Sequence, residues 1–202
     1  MRYAAITLIA SLLCWGVLGA PALAYRCTGG VGYDRVFKAQ RAHHRAQDFR
    51  ALKRERRAAR RRARYVRQRI YEFALREVGV HEWGSNRGPR VDDYGRVTHA
   101  VGAAWCASFV SAAVRYAGGR FASASVSAWA AAIRKGTRLH RVGLSGLARG
   151  DIVIFPGHIG VVFRAPRGSD SFLSIEGNAS DAVRIRKHSL YEAVLFGRVR
   201  PT

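Results

Sequence analysis

Residues 150–163 read GDIVIFPGHIGVVF, two short runs of β-branched and aromatic residues separated by a Pro156-Gly157 turn. Two such runs around a tight turn are typical of neighbouring β-strands. Three similar segments follow, SFLSIEG, AVRIRKH and AVLFGRV, with turn-forming residues between them. The C-terminal part of the chain is therefore predicted to form a five-stranded antiparallel sheet.

The sequence before this sheet favours helices. Residues 102–119, GAAWCASFVSAAVRYAGG, are small and apolar with helical spacing, and Gly118-Gly119 gives a stop signal. Residues 125–135 predict a short helix with Ser125 or Ser127 as its N-cap. Residues 81–95, HEWGSNRGPRVDDYG, read as a loop. Helices followed by a meander of strands indicate an α+β fold.

A long basic helix is predicted before these elements. Neither Gly nor Pro interrupts residues 33–78, and good helix formers dominate them. Apolar residues recur at helical spacing only near the end of this segment, at Ala63, Val66, Ile70, Phe73 and Ala74. Residues 26–70 hold 16 Lys or Arg against 3 acids, in a chain of 202 residues with a net charge of +22. Residues 25–69 are accordingly interpreted as an arginine-rich helical or disordered segment, and residues 70–202 as the folded domain.

The first 24 residues indicate export. Arg2 precedes an apolar stretch, and Ala22-Leu23-Ala24 is a small-x-small cleavage site. A secreted, periplasmic or envelope location is therefore expected. An uncleaved membrane anchor is the alternative, because the apolar stretch is only slightly shorter than a membrane span and basic residues follow it closely.

Cys106 stands where a loop becomes the apolar helix, so it is a candidate nucleophile. Unsatisfied amides and the dipole at a helix N-terminus both favour a thiolate. His158 begins a strand directly after a turn, where an imidazole can lie at the edge of a cleft and take the thiol proton. Glu176 and Asn178 are two residues apart on the next strand, and either could orient the imidazole. A buried structural cysteine is the alternative reading of Cys106 alone.

These residues resemble the CHAP family of cysteine- and histidine-dependent amidohydrolases and peptidases, within the papain-like and NlpC/P60 clan. The resemblance rests on GAAWCASFV, GDIVIFPGHIGVVF and EGN in that order, with EVGVHEWGSNRGPRVDDYG upstream, and covers about residues 70–199. It implies a papain-like fold in which the nucleophile-bearing helix packs on the sheet, with Cys106 as nucleophile and His158 as base and acid. Glu176 and Asn178 would complete the site. The family consists mainly of peptidoglycan amidases and endopeptidases, so a wall-directed thiol hydrolase is expected.

Four further side chains are candidates for substrate binding. Trp105 adjoins the nucleophile, Trp83 and Tyr94 could line a groove for a sugar or stem peptide, and Asn86 lies on the loop. The histidines show no spacing typical of a metal site, and no nucleotide motif occurs, so no cofactor is expected.

Two other functions compete with the wall hydrolase. A basic module could bind nucleic acid or anionic lipid through Arg35–Arg69, with the C-terminal domain as a scaffold only. A related amidase could act on an amide outside the wall. The basic segment is also expected to contact an anionic envelope polymer or membrane surface, with nucleic acid as a weaker candidate partner.

Overall fold

The computed structural model describes residues 30–201, so the predicted signal or anchor at residues 1–24 lies outside it. Residues 30–201 form four α-helices followed by six antiparallel strands, which is an α+β fold. The helices are α1 (Gly30–Arg76), α2 (Pro89–Thr98), α3 (Cys106–Tyr116) and α4 (Val126–Lys135). The strands are β1 (Leu139–Arg141), β2 (Ile152–Phe155), β3 (His158–Arg164), β4 (Ser171–Glu176), β5 (Arg184–Ser189) and β6 (Leu195–Val199).

The strands make one sheet in the order β1-β6-β2-β3-β4-β5. The five predicted strands are β2 to β6, and the prediction of a five-stranded sheet missed β1. That strand pairs with β6 through three residues only, with Leu139 opposite Val199. A three-residue edge strand is too short to show the two-residue alternation by which strands are recognised in a sequence.

Helix α2 corrects the prediction of a loop over residues 81–95. Its residues include Gly and two Asp, which are typical of turns, but the helix begins at Pro89, and proline is favoured in the first helical turn because its missing N–H has no partner there. Gly95 lies inside the helix, where a Cβ would come within 2.8 Å of the Val101 Cα. Close packing of the following turn therefore explains why glycine occurs here.

The sheet separates two apolar clusters. Ile152 and Ile154 of β2 face the larger cluster, which includes α3, α4 and the last turns of α1, whereas Val153 and Phe155 face a smaller cluster on the other side. This alternation follows from the two-residue period of a strand. Helix α3 packs against α2 and β3, and α4 packs against β1 and β6. The N-terminus of α3 is thereby held near the beginning of β3.

Helix α1 changes character along its length. The chain divides into two units near Phe49, and in the second unit, residues 50–202, the end of the helix contributes Val66, Ile70, Phe73 and Ala74 to the core. The predicted apolar face is confirmed for these four, and Ala63 is half-buried. Every residue from 38 to 62 is exposed. No helix within residues 30–201 is both long and apolar enough to cross a membrane.

Gly177, directly after β4, marks the closest approach of the sheet to α3. A Cβ at this position would lie 2.6 Å from the Phe109 Cβ and 2.8 Å from the Trp105 ring, both of which are buried. We expect Gly177→Ala to lower the free energy of unfolding by about 2 kcal/mol, because neither neighbour can move away without opening the core. Urea denaturation measures the loss.

Gly143→Ala is the matched control. A Cβ at Gly143 meets no atom within 4 Å, and its backbone is extended with φ −82°. This variant should unfold within about 0.5 kcal/mol of the wild type. Equal stability of the two variants would contradict the close packing of α3 on β4.

Candidate active site

Cys106 is the first residue of α3 and carries a free thiol with 6% of its surface exposed. Trp105 occupies the N-cap position but makes no side-chain cap hydrogen bond. The first amides of the helix therefore point toward the region of the thiol without a capping oxygen. This environment favours negative charge on a sulfur or on a substrate oxygen bound beside it.

His158, the first residue of β3, hydrogen-bonds Glu176 and lies close enough to Cys106 for the two side chains to interact electrostatically. Its Nε2 lies 3.0 Å from Glu176 Oε2. Burial alone lowers the pKa of His158, but the hydrogen bonds and charges of Cys106 and Glu176 outweigh it and raise this pKa to about 9. With a pKa of about 9, the imidazole is mainly protonated at neutral pH and lies as an imidazolium beside Cys106 and Glu176.

Glu176 ends β4 and is only 3% exposed. Oε1 accepts hydrogen bonds from Ser174 Oγ and from His188 Nε2, which lies 2.6 Å away, while Oε2 faces His158. Burial raises the pKa of Glu176, but the hydrogen bonds from His158 and Ser174 and the charges of both histidines bring it below its usual value. The carboxylate is therefore ionised in the folded protein.

A glycine on the neighbouring strand makes space for this carboxylate. A Cβ on Gly160 of β3 would lie 2.8 Å from the Glu176 Cγ and 3.1 Å from the Ile175 carbonyl oxygen. Any larger residue at this position would displace the carboxylate from His158. The glycine in the HIGVVF segment is thus part of the site as well as part of the strand.

Asn178, predicted beside Glu176, makes its side-chain hydrogen bond elsewhere. Its Nδ2 donates to Asn86 Oδ1 at 3.3 Å, and the backbone N–H of Asn86 donates to Glu82 Oε1 at 3.1 Å. Glu82 Oε2 in turn accepts from Trp105 Nε1 at 2.9 Å. This chain of contacts fastens the loop before α2 to the residue that precedes Cys106. Of the two candidates, Glu176 is the one that contacts the imidazole.

The predicted aromatic groove residues divide into two kinds. Trp105 and Tyr94 are each 1% exposed and stack on each other with ring centroids 5.7 Å apart. Tyr94 also donates to the buried Glu77. Both side chains therefore belong to the core, and neither offers a surface to a substrate. Trp83 is 74% exposed and remains available on the loop.

Three residues of the site were not predicted. Glu82 lies in a segment that reads as a turn, and Ser174 is one polar residue in an apolar strand. His188 is one of the histidines whose spacing predicts no metal site, and the sequence indicates no other role for it. Its place depends on the register that sets Phe172 opposite His188 in β4 and β5, which a single sequence does not specify. Ser174 could have been found, since it shares a strand face with Glu176.

An open cleft of about 540 Å³ adjoins this cluster. Its walls come from the β2–β3 turn, the ends of β4 and β5, and the Leu190–Glu192 turn. Among the lining residues are Pro156, His158, Glu176, Arg186, His188 and Tyr191. Within residues 30–201, no group of three or more His, Cys, Asp or Glu side chains is arranged to hold a metal ion.

Titration distinguishes Glu176 from Asn178 as the residue that contacts the His158 imidazole. Glu176→Gln should lower the pKa of His158 below about 9, because burial remains while the negative partner is lost. Asn178→Ala, which removes no contact to the imidazole, should leave that pKa unchanged. Imidazole NMR resonances followed against pH report both. A lower His158 pKa in Asn178→Ala with no change in Glu176→Gln would contradict the geometry.

The same contacts make stability depend on pH. The folded pKa of His158 exceeds its ordinary value of 6.5, so its contribution is complete below pH 6.5 and is lost as the pH rises through about 9. The pKa of Glu176 is lowered, so its contribution is present above the ordinary carboxyl range and is lost as the pH falls through the folded value. Both contributions are present together between these limits.

Comparison with known proteins assigns no family to this chain. No family model matches its sequence, and no curated protein matches it. The resemblance to the CHAP family therefore rests on the motifs quoted above, and function must be argued from the site.

Proposed function

We propose that this chain is an exported thiol hydrolase that cleaves amide bonds in peptidoglycan, as a muramoyl-alanine amidase or a stem-peptide endopeptidase. The observation that carries the proposal is the series of side chains from Cys106, at a helix N-terminus, through His158 to the buried Glu176; His158 and Glu176 line an open cleft. A thiol, an imidazole and a carboxylate in that order are the groups that nucleophilic acyl transfer needs.

The proposed reaction has two halves. His158 holds the thiol proton as an imidazolium, and the Cys106 sulfur attacks the amide carbon to give a tetrahedral oxyanion, which the Cys106 backbone N–H stabilises. The C–N bond then breaks, the His158 proton goes to the leaving amine, and a thioester remains on Cys106. Water, deprotonated by His158, hydrolyses the thioester and frees the thiol. Glu176 stabilises the imidazolium in both halves.

The finer fold assignment is part of this proposal. A helix that begins with the nucleophile and packs on an antiparallel sheet whose strands supply the base and the carboxylate supports a papain-like arrangement. The order of the motifs along the chain supports a CHAP-like domain within it. In this view Asn178 holds the loop of Asn86 and Trp83 next to the site, and exposed Trp83 is the aromatic surface available to a sugar or peptide.

Digestion of purified sacculi tests the proposal. The wild-type protein should release muropeptide fragments whose masses identify the broken amide, while Cys106→Ser should lose nearly all of this activity and keep its fold. Cys27→Ser is the matched control, since it removes another cysteine and should retain full activity. Substantial activity in Cys106→Ser would refute the thiol mechanism.

The same assay separates the alternatives. An amidase for a non-wall substrate would leave sacculi intact yet hydrolyse small amides in a manner that requires Cys106. A non-catalytic scaffold would do neither. Fragments that depend on Cys106 support the wall hydrolase alone.

We also propose that α1 tethers the hydrolase to an anionic envelope polymer or membrane surface. The described part of the Arg35–Arg69 segment is helical, and residues 38–62 are exposed throughout and dominated by arginine. Each basic residue near an anionic surface adds about 1 kcal/mol to binding. Because salt screens this attraction within about 10 Å at 0.1 M, the binding should weaken steeply with ionic strength. Export of the chain, which the N-terminal residues predict, would bring this helix to the envelope.

A variant of α1 that lacks four positive charges tests the tether. Four exposed arginines of α1 are replaced by glutamine, which preserves helix propensity: Arg56, Arg57, Arg60 and Arg61. Co-sedimentation with envelopes at low salt should fall clearly, while hydrolysis of soluble muropeptides is unchanged.

The matched control removes four exposed positive charges from another part of the surface: Arg134, Lys135, Arg138 and Arg141. Net charge is the same in both variants, so only a local tether distinguishes them. Equal loss of envelope binding in the two would show that overall charge, and not α1, is responsible.

A further inference from the structure

Glu176 is shared by two histidines, and only one of them belongs to the proposed mechanism. His158 contacts Oε2 from β3, while His188 contacts Oε1 from β5 with its Nε2 at 2.6 Å. The other ring nitrogen of His188, Nδ1, lies 2.8 Å from Glu192 Oε2 in the Leu190–Glu192 turn. A contiguous series therefore runs from Cys106 through His158, Glu176 and His188 to Glu192.

Each ring nitrogen of His188 faces a carboxylate oxygen. A carboxylate oxygen can only accept, so each ring nitrogen that faces one must carry a proton to make a hydrogen bond. Both nitrogens can donate at once only in the imidazolium form. Phe155 and Phe172 pack against the ring, with centroids 4.4 and 5.7 Å away, and supply no competing hydrogen-bonding group. Arg186, on the same strand, is the other cation lining this cleft.

We infer that His188 is a positioning residue for the thiol site, acting in its doubly protonated form as a bridge between Glu176 and Glu192. The inference rests on the proposed function, since it assigns His188 to the same reaction. Its hydrogen bond to Oε1, with that of Ser174, fixes the carboxylate plane so that Oε2 faces His158. Its positive charge also weakens the electrostatic attraction between the Glu176 carboxylate and the His158 imidazolium.

The weaker attraction between Glu176 and His158 favours proton transfer from His158 to the leaving amine. His158 has to release its proton to the leaving amine, and an imidazolium paired too strongly with a carboxylate is a poor acid. A second cation on the same carboxylate opposes the positive charge on His158, because the two rings carry like charges on either side of one group. His188 thus keeps the His158 proton transferable while holding the ring in place.

His188→Gln tests this inference, because glutamine keeps a donor to Glu176 and removes the charge. The test uses full-length protein with Cys106→Ser, so that no thiol titration overlaps that of the imidazole. Imidazole NMR should show the His158 midpoint rising by about one pH unit when His188 is replaced. A residue that only supported the fold would leave the midpoint unchanged.

His140→Gln is the control, since His140 is a half-buried histidine on β1, outside the contact series. An unchanged His158 midpoint in His188→Gln, or an equal rise in His140→Gln, would overturn the inference. If His188→Gln fails to fold, His188→Asn, which also removes the charge, is titrated in its place, and an unchanged His158 midpoint overturns the inference.

The readout needs no substrate, so it is independent of the proposed activity. Failure of sacculus digestion would remove the hydrolase proposal and leave the coupling of the two histidines intact. Failure of the titration test would remove His188 from the site and leave Cys106, His158 and Glu176 in their proposed roles.

Discussion

The burial of the Glu176 carboxylate is the constraint on which the rest of the site depends. An ionised carboxylate that is 3% exposed would cost several kcal/mol without partners. Hydrogen bonds from Ser174, His158 and His188 offset this cost and fix the carboxylate in one orientation. Because these donors come from three adjacent strands, the sheet must keep its register for the carboxylate to remain ionised. The same register gives His158 a defined direction toward Cys106.

Two glycines allow this arrangement to be built. Gly160 leaves the volume that the Glu176 side chain occupies, and Gly177 lets the end of β4 approach Phe109 of α3. The N-terminal part of α3 therefore packs closely on β3, which carries His158, and on the end of β4, which carries Glu176. The glycines of the HIGVVF and EGN motifs thus serve packing, while the chemical roles belong to their polar neighbours in the proposed mechanism.

The sequence was sufficient for the parts that have a period or a local signal. Runs of β-branched and aromatic residues between turn signals identified β2 to β6, and helical spacing identified the buried face of α1. The cap residue Ser125 accepts a hydrogen bond from the Ala128 amide as expected. The three-residue β1 carries no readable period, and Pro89 at a helix start was read as a turn. The places of Cys106 at the start of α3 and of His158 at the start of β3 were predictable, because each follows a loop or turn signal in the sequence.

The hydrogen-bond partners of the side chains in the site could not be predicted from the sequence. The contacts of His188 with Glu176 and of Glu82 with Trp105 join residues 12 and 23 positions apart. They depend on register and loop path, which the composition of either segment does not encode. Tyr94 and Trp105 were expected in a groove because aromatic residues suit both a core and a binding surface, and only packing distinguishes the two.

The proposed mechanism requires His158 to activate Cys106, and the reactivity of the thiol reports this activation. The full-length protein and His158→Ala are alkylated with iodoacetamide at pH 7, and the rate at Cys106 is read from its peptide by mass spectrometry. We expect Cys106 to react about tenfold faster or more when His158 is present, because only the thiolate is nucleophilic. Equal rates in the two proteins would contradict it.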